Sequence, residues 1–88
     1  MHDQAIFSDG VHLISTRGVS HLHQYCASIG IHPGWFHRSS KFPHYDVPSS
    51  ERDSFFEDHP EVQKVSSKEI VRLLKKFGLV TKAKRLLR

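Results

Sequence analysis

The sequence predicts an α/β class: a small single-domain layered fold with a short, mainly parallel sheet and about three helices. Two observations carry that expectation. Three successive stretches repeat one grammar, a brief extended run followed by a capped, apolar-striped helix, and such alternation with short connections builds layered sheets. The chain has 88 residues, near the size at which one core just suffices. Residues 1–80 are therefore assigned to one α/β domain and residues 81–88 to a basic C-terminal tail.

The first unit opens with Ala5, Ile6, Phe7 and Ser8, an apolar stretch that turns at Asp9 and Gly10. Val11, His12, Leu13 and Ile14 continue extended. Ser15 or Thr16 then offers an oxygen to cap a helix whose apolar positions, Val19, Leu22, Cys26 and Ile29, are spaced three, four and three and so share one face. Gly30 closes that helix, and Trp35, Phe36 and His37 form a second extended piece.

The middle unit is FPHYDVPSSER, residues 42–52. Pro43 and Pro48 fix φ, and each disfavours helix in the residue before it, which keeps His44, Tyr45 and Asp46 extended. Side chains alternate along such a segment, so His44 and Asp46 face one way and Tyr45 the other. Ser49 or Ser50 then caps a short helix with Glu51 and Asp53 in its first turn, Phe55 and Phe56 toward the core, and Pro60 at its end. Residues 38–41 are read as a flexible loop.

In the third unit residues 61–65 alternate as a strand. Ser66 to Glu69 match a capping box ahead of Ile70, Val71, Leu73, Leu74 and Phe77, with Gly78 as the stop.

Charge and cysteine usage bound the function. The formal charge of +4 comes largely from Lys82, Lys84, Arg85 and Arg88 beside Lys75 and Lys76. The single cysteine forms no intramolecular disulfide, and neither a basic-then-apolar leader nor a bilayer-length apolar run is visible, so a cytoplasmic protein without membrane contact is expected. Cys26 lies on the apolar face of its helix, which argues against a nucleophile.

Eight histidines are many for this length, and an imidazole serves as base, acid, metal ligand or anion partner. In parallel sheets ligands gather beyond the carboxyl ends of the strands. That rule marks residues 9–12, residues 37–46 and Ser66 as the candidate region. From it His12, His44 and Asp46 are taken as the catalytic candidates: the histidines move protons, and Asp46 orients an imidazole, pairs with Arg52 or holds a cation. Ser49, Ser50 and Arg52, at the start of the short helix, suit an anion such as a phosphate or a carboxylate. His23, at the border of its helix's apolar stripe, is added as a ligand-binding candidate. Each has a plain structural alternative: serines and Asp as turn caps, Arg52 neutralising Asp46, His23 bonded at the core edge. No HxxxH or CxxC spacing assigns a metal ligand, so a divalent metal would have to be assembled from distant segments as His12, His23, His44 and Asp46.

The ordered combination of His12-Leu13-Ile14-Ser15, Leu22-His23, Ile29-Gly30, Trp35-Phe36, Pro43-His44-Tyr45-Asp46 and Arg52 resembles the phage and bacterial domain of unknown function 4031 family, over residues 12–74. Two departures stand out: Thr16 where that family usually has an aspartate, and His59-Pro60-Glu61 where it usually has a Gly-Ala segment. The resemblance implies a compact α/β domain with His12, His23, His44, Asp46 and Arg52 as its polar signature, and a phage setting implies host or nucleic-acid handling. Three functions follow as expectations. The first is a domain that binds or processes a phosphorylated small molecule or other anionic ligand, with or without a divalent metal. The second is a nucleic-acid-binding module that uses the basic tail. The third is an interaction protein for a host partner, with structural histidines and aromatic anchors near Trp35 and Phe42.

Overall fold

The computed structural model describes residues 5–37 and 42–78. The loop at 38–41 and the basic tail at 81–88 lie outside the described residues. The elements in chain order are β1 (Ile6–Ser8), β2 (His12–Ser15), α1 (Val19–Ser28), a 3-10 turn (Pro33–Trp35), β3 (Phe36–His37), β4 (His44–Asp46), a 3-10 helix (Ser49–Ser54) running into α2 (Phe55–Asp58), β5 (Gln63–Lys64) and α3 (Ser67–Lys76). None of the described helices is long and apolar enough to cross a membrane.

The five strands form one sheet in the order β3-β4-β2-β1-β5. The expected mainly parallel arrangement is corrected here: β1–β2, β2–β4 and β3–β4 pair antiparallel, and β1–β5 alone among the described pairs is parallel. For β1 and β2 the reason is connection length. Residues 9–11 separate β1 from β2, far short of the dozen or more residues that a parallel crossover requires. Gly10, at φ +99°, supplies the turn that folds β2 back on β1.

Strand alternation sorts the side chains onto two faces. Leu13, Tyr45 and Phe36 lie in register across β2, β4 and β3, and this face packs under α1 in a core that includes Ile6, Leu22, Cys26, Val47 and Phe55. The opposite face carries Phe7 and Ile14, which pack against Ile70 and Leu74 of α3. The sheet is thus a middle layer with α1 on one side and α3 on the other.

The helices form for local reasons, with one departure from expectation. α1 buries Leu22 and Cys26, but Gly18 rather than Ser15 or Thr16 is its N-cap, and no side chain caps it. Ser15 Oγ instead accepts the Arg17 amide and meets His21 Nδ1 at 2.6 Å. Gly30 turns the chain out of α1 at φ +84°. Neither Ser49 nor Ser50 caps the following helix, whose N-cap is Pro48. In α3 the Ser66 hydroxyl accepts the Glu69 amide at 3.1 Å, satisfying one of the orphan donors of the first turn. Replacing Ser66 with Ala should therefore lower the unfolding free energy by about 1 kcal/mol, read as a shifted urea midpoint at unchanged slope.

Candidate functional site

The face toward α3 changes character along the sheet. Near β1 it is apolar; toward β3 it becomes a row of polar rings. His12 opposes Asp46 in the β2–β4 ladder and His37 opposes His44 in the β3–β4 ladder. Because His44 and Asp46 are two apart on one strand, all four side chains emerge on this one face. The His12 and His44 rings meet edge to face at 4.9 Å, and the His37 and His44 rings stack at 4.9 Å.

Hydrogen bonds fix which ring nitrogen is free. His44 Nδ1 lies 2.6 Å from the Phe42 carbonyl, and since a carbonyl only accepts, Nδ1 carries the proton. The other nitrogen, Nε2, stands 3.3 Å from Asp46 Oδ1, presenting a lone pair in the neutral ring and a second N–H in the charged one. His12 repeats the logic, because its Nδ1 donates to Asp9 Oδ2 at 2.9 Å, which leaves Nε2 outside that bond. His37 Nε2 donates to Asp46 Oδ2 at 2.7 Å, which orients the carboxylate and leaves Oδ1 turned to His44.

Asp9 is the anchor beneath this arrangement. Its side chain is 5% exposed, and it accepts the Val11 and His12 amides, the His12 ring and, at 2.5 Å, the Ser67 hydroxyl of α3. Burial alone would raise its pKa, but these bonds, with Ser67 and the His12 ring foremost, outweigh burial and hold the carboxyl well below the ordinary carboxylate range. The lowered pKa favours the ionised form beside His12.

One donor atom each from His12, His44 and Asp46 lies within 4.8 Å of the others. Beside them opens a cavity of about 170 Å³ lined by the polar side chains of Asp9, His12, His44 and Ser67 and the apolar ones of Phe42, Ile70, Val71 and Leu74.

The remaining sequence candidates lie elsewhere. His23 is across the sheet, its Nδ1 bonded to the Tyr45 hydroxyl at 2.6 Å and its ring against Phe36 and Tyr45. Arg52 donates Nε to the Val47 carbonyl at 2.9 Å, tying the end of β4 to the helix that follows. Ser49 and Ser50 are exposed, and none of Ser49, Ser50 and Arg52 lines the cavity. Asp46 is bonded by His37 rather than by Arg52. Of the aromatic anchors, Trp35 is exposed and Phe42 is half-buried in the cavity wall. Cys26 is fully buried, and burial pushes its thiol up to about 12, where it has no nucleophilic character.

Two residues of the site, Asp9 and His37, fall within the candidate region but were not chosen as site residues. Asp9 had a local signal, since an Asp opening a turn three residues before a histidine can reach both that residue's amide and its ring. His37 had none, because only the β3–β4 register brings it beside His44.

Among the comparisons with known proteins, no curated protein and no solved structure matches the chain. A family match covers residues 5–77 and with them the whole candidate site. The chain belongs to the family described as protein of unknown function DUF4031.

Proposed function

We propose that this chain is a divalent-metal-binding domain in which His12 Nε2, His44 Nε2 and Asp46 Oδ1 hold a first-row cation, leaving open positions on the cavity side for an anionic ligand. The observation that carries this reading is the 3.3 Å approach of His44 Nε2 to Asp46 Oδ1 with the Nδ1 proton already committed to a carbonyl. In the neutral ring, two lone pairs this close need something positive between them. In a tetrahedral site with bonds of about 2.1 Å the donors stand about 3.4 Å apart, so this pair already has the spacing of one edge. His12, with 41% of its side chain exposed, has room to swing in as the third donor.

The supporting groups are those that metal sites require. Ligating imidazoles donate their second N–H to a carboxylate or a carbonyl, which fixes the tautomer and strengthens the donor; Asp9 and Phe42 do this for His12 and His44. Two imidazoles and one carboxylate suit zinc and ferrous iron, and three protein donors leave a place for water or ligand. At such a position a cation polarises the bound group and lowers the pKa of bound water. An anion then binds through the metal itself, with no need of Arg52.

The test is stoichiometry. Chain stripped with a chelator and titrated with Zn²⁺ or Co²⁺ should take up one equivalent, retain it through desalting as read by elemental analysis, and give Co²⁺ visible absorption of low-coordinate character. No retained metal and no heat of titration would overturn the reading. The His44–Asp46 contact would then be an ion pair with a proton on Nε2.

A further inference from the structure

Resting on the metal reading above, we infer that the cavity selects a compact monocarboxylate with an apolar body, of the size of benzoate, and discriminates against phosphate. The carboxylate sits on the cation at the open positions, and the body lies against Phe42, Ile70, Val71 and Leu74.

Three properties of the cavity argue for this ligand class. The first is its mixed lining. Asp9, His12, His44 and Ser67 contribute polar side chains, with Asp46 close to the two histidines, whereas Phe42 and Ile70, Val71 and Leu74 of α3 contribute apolar ones. A ligand that fills it must offer both a polar group and an apolar body.

The second is size. The volume of about 170 Å³ is of the order of the roughly 150 Å³ apolar cavity known to take up benzene in another protein. A ring or a branched chain of a few carbons fits, and an extended nucleotide does not.

The third is charge. Among the described residues that line the cavity there is no Lys or Arg. Phosphate is ordinarily held by guanidinium forks or ammonium groups, and among the described lining residues it would find neither. Asp46, as a ligand, sets one negative charge against the two positive charges of the metal. A monocarboxylate therefore brings the site to neutrality, and a phosphate dianion leaves one excess negative charge. Asp9 cannot recruit the anion, because its oxygens are filled by the Val11 and His12 amides, the His12 ring and Ser67. The Ser67 hydroxyl spends its hydrogen on Asp9 and offers a cavity ligand only an acceptor oxygen.

The experiment titrates the full chain, loaded with one equivalent of Co²⁺ or Zn²⁺, with benzoate, acetate and inorganic phosphate in parallel, reading heat and the Co²⁺ spectrum. Benzoate should bind at least about tenfold tighter than acetate and perturb the Co²⁺ bands, and phosphate should bind no tighter than acetate. Val71→Phe, which fills the apolar part of the cavity, should keep the metal and the acetate response and lose the benzoate preference; Val71→Leu, a smaller filling, should reduce it. Equal affinities for benzoate and acetate, or phosphate as the tightest of the three, overturn the inference and leave the metal reading standing. A chain that takes up no metal overturns both.

Discussion

Replacing Asp9 with Ala should lower the unfolding free energy by about 3 kcal/mol, because it leaves buried donors without an acceptor. The carboxylate joins three parts of the fold: it accepts the Val11 and His12 amides that shape the β1–β2 turn, holds the His12 ring, and receives the Ser67 hydroxyl from the first turn of α3. Deletion releases all of these together, and water reaches a group 5% exposed poorly. Asp9→Asn should fall between wild type and Ala, since an amide oxygen still serves the turn while the amide nitrogen opposes the Ser67 and His12 donors. The linkage sign follows from the lowered pKa. A carboxylate depressed in the native state contributes stability above the ordinary value of 3.8, and that contribution is lost as pH falls below it. Metal-free wild-type chain should thus lose stability on acidification below about pH 4 more steeply than Asp9→Asn. Urea denaturation across pH measures both effects; a loss under about 1 kcal/mol for Asp9→Ala would mean that turn and helix are held by other contacts.

The same residue shows what a sequence can and cannot disclose. α3 was legible in its cap at Ser66 and in most of its stripe of Ile70, Val71, Leu73 and Leu74, which are local signals; Phe77, counted in the same stripe, is exposed. So was the extended His44-Tyr45-Asp46 segment, whose geometry two prolines impose. From alternation alone His44 and Asp46 were expected on one side, and they are. The direction of the sheet was not legible. Strand-then-helix grammar describes the order of elements, whereas direction depends on which strands hydrogen-bond across distance, and the three-residue link at 9–11 makes β1–β2 a hairpin. The candidate region drawn from the rule for parallel sheets nevertheless overlaps the cavity wall at Asp9, His12, Phe42 and His44. The physical reason differs from that rule: antiparallel register, through His12 opposite Asp46 and His37 opposite His44, gathers the polar rings. His23 illustrates the other limit. Its angle on α1 placed it at the edge of an apolar stripe, but no angle tells which face of the sheet the helix covers, and α1 covers the one opposite the cavity.

The largest effect on binding is expected from His44→Ala, which should weaken Zn²⁺ affinity by more than about a hundredfold, the upper end of what loss of an outer-shell partner costs. Of the two rings proposed as ligands, His44 is the one whose Nε2 stands 3.3 Å from Asp46 Oδ1 and is the less exposed, at 17% against 41% for His12; its removal leaves the proposed site without that donor. His37 touches the proposed site only through Asp46 and by stacking on His44, so His37→Ala should cost about tenfold. That graded order separates ligation from mere packing, since stacked rings that only filled space would lose comparable affinity. Stability gives an independent readout. Zinc at about one hundred times its dissociation constant should raise the unfolding free energy of the wild-type chain by about 2.7 kcal/mol, because it binds the folded state alone. The increment should shrink for His37→Ala at the same zinc concentration and vanish for His44→Ala and Asp46→Asn. Both variants should still unfold cooperatively without metal, because the cores built on Leu13, Tyr45 and Leu22 and on Ile14, Ile70 and Leu74 do not include either side chain. Equal zinc stabilisation in wild type and His44→Ala would remove His44 from the metal and return it to the role of a ring bonded to the Phe42 carbonyl.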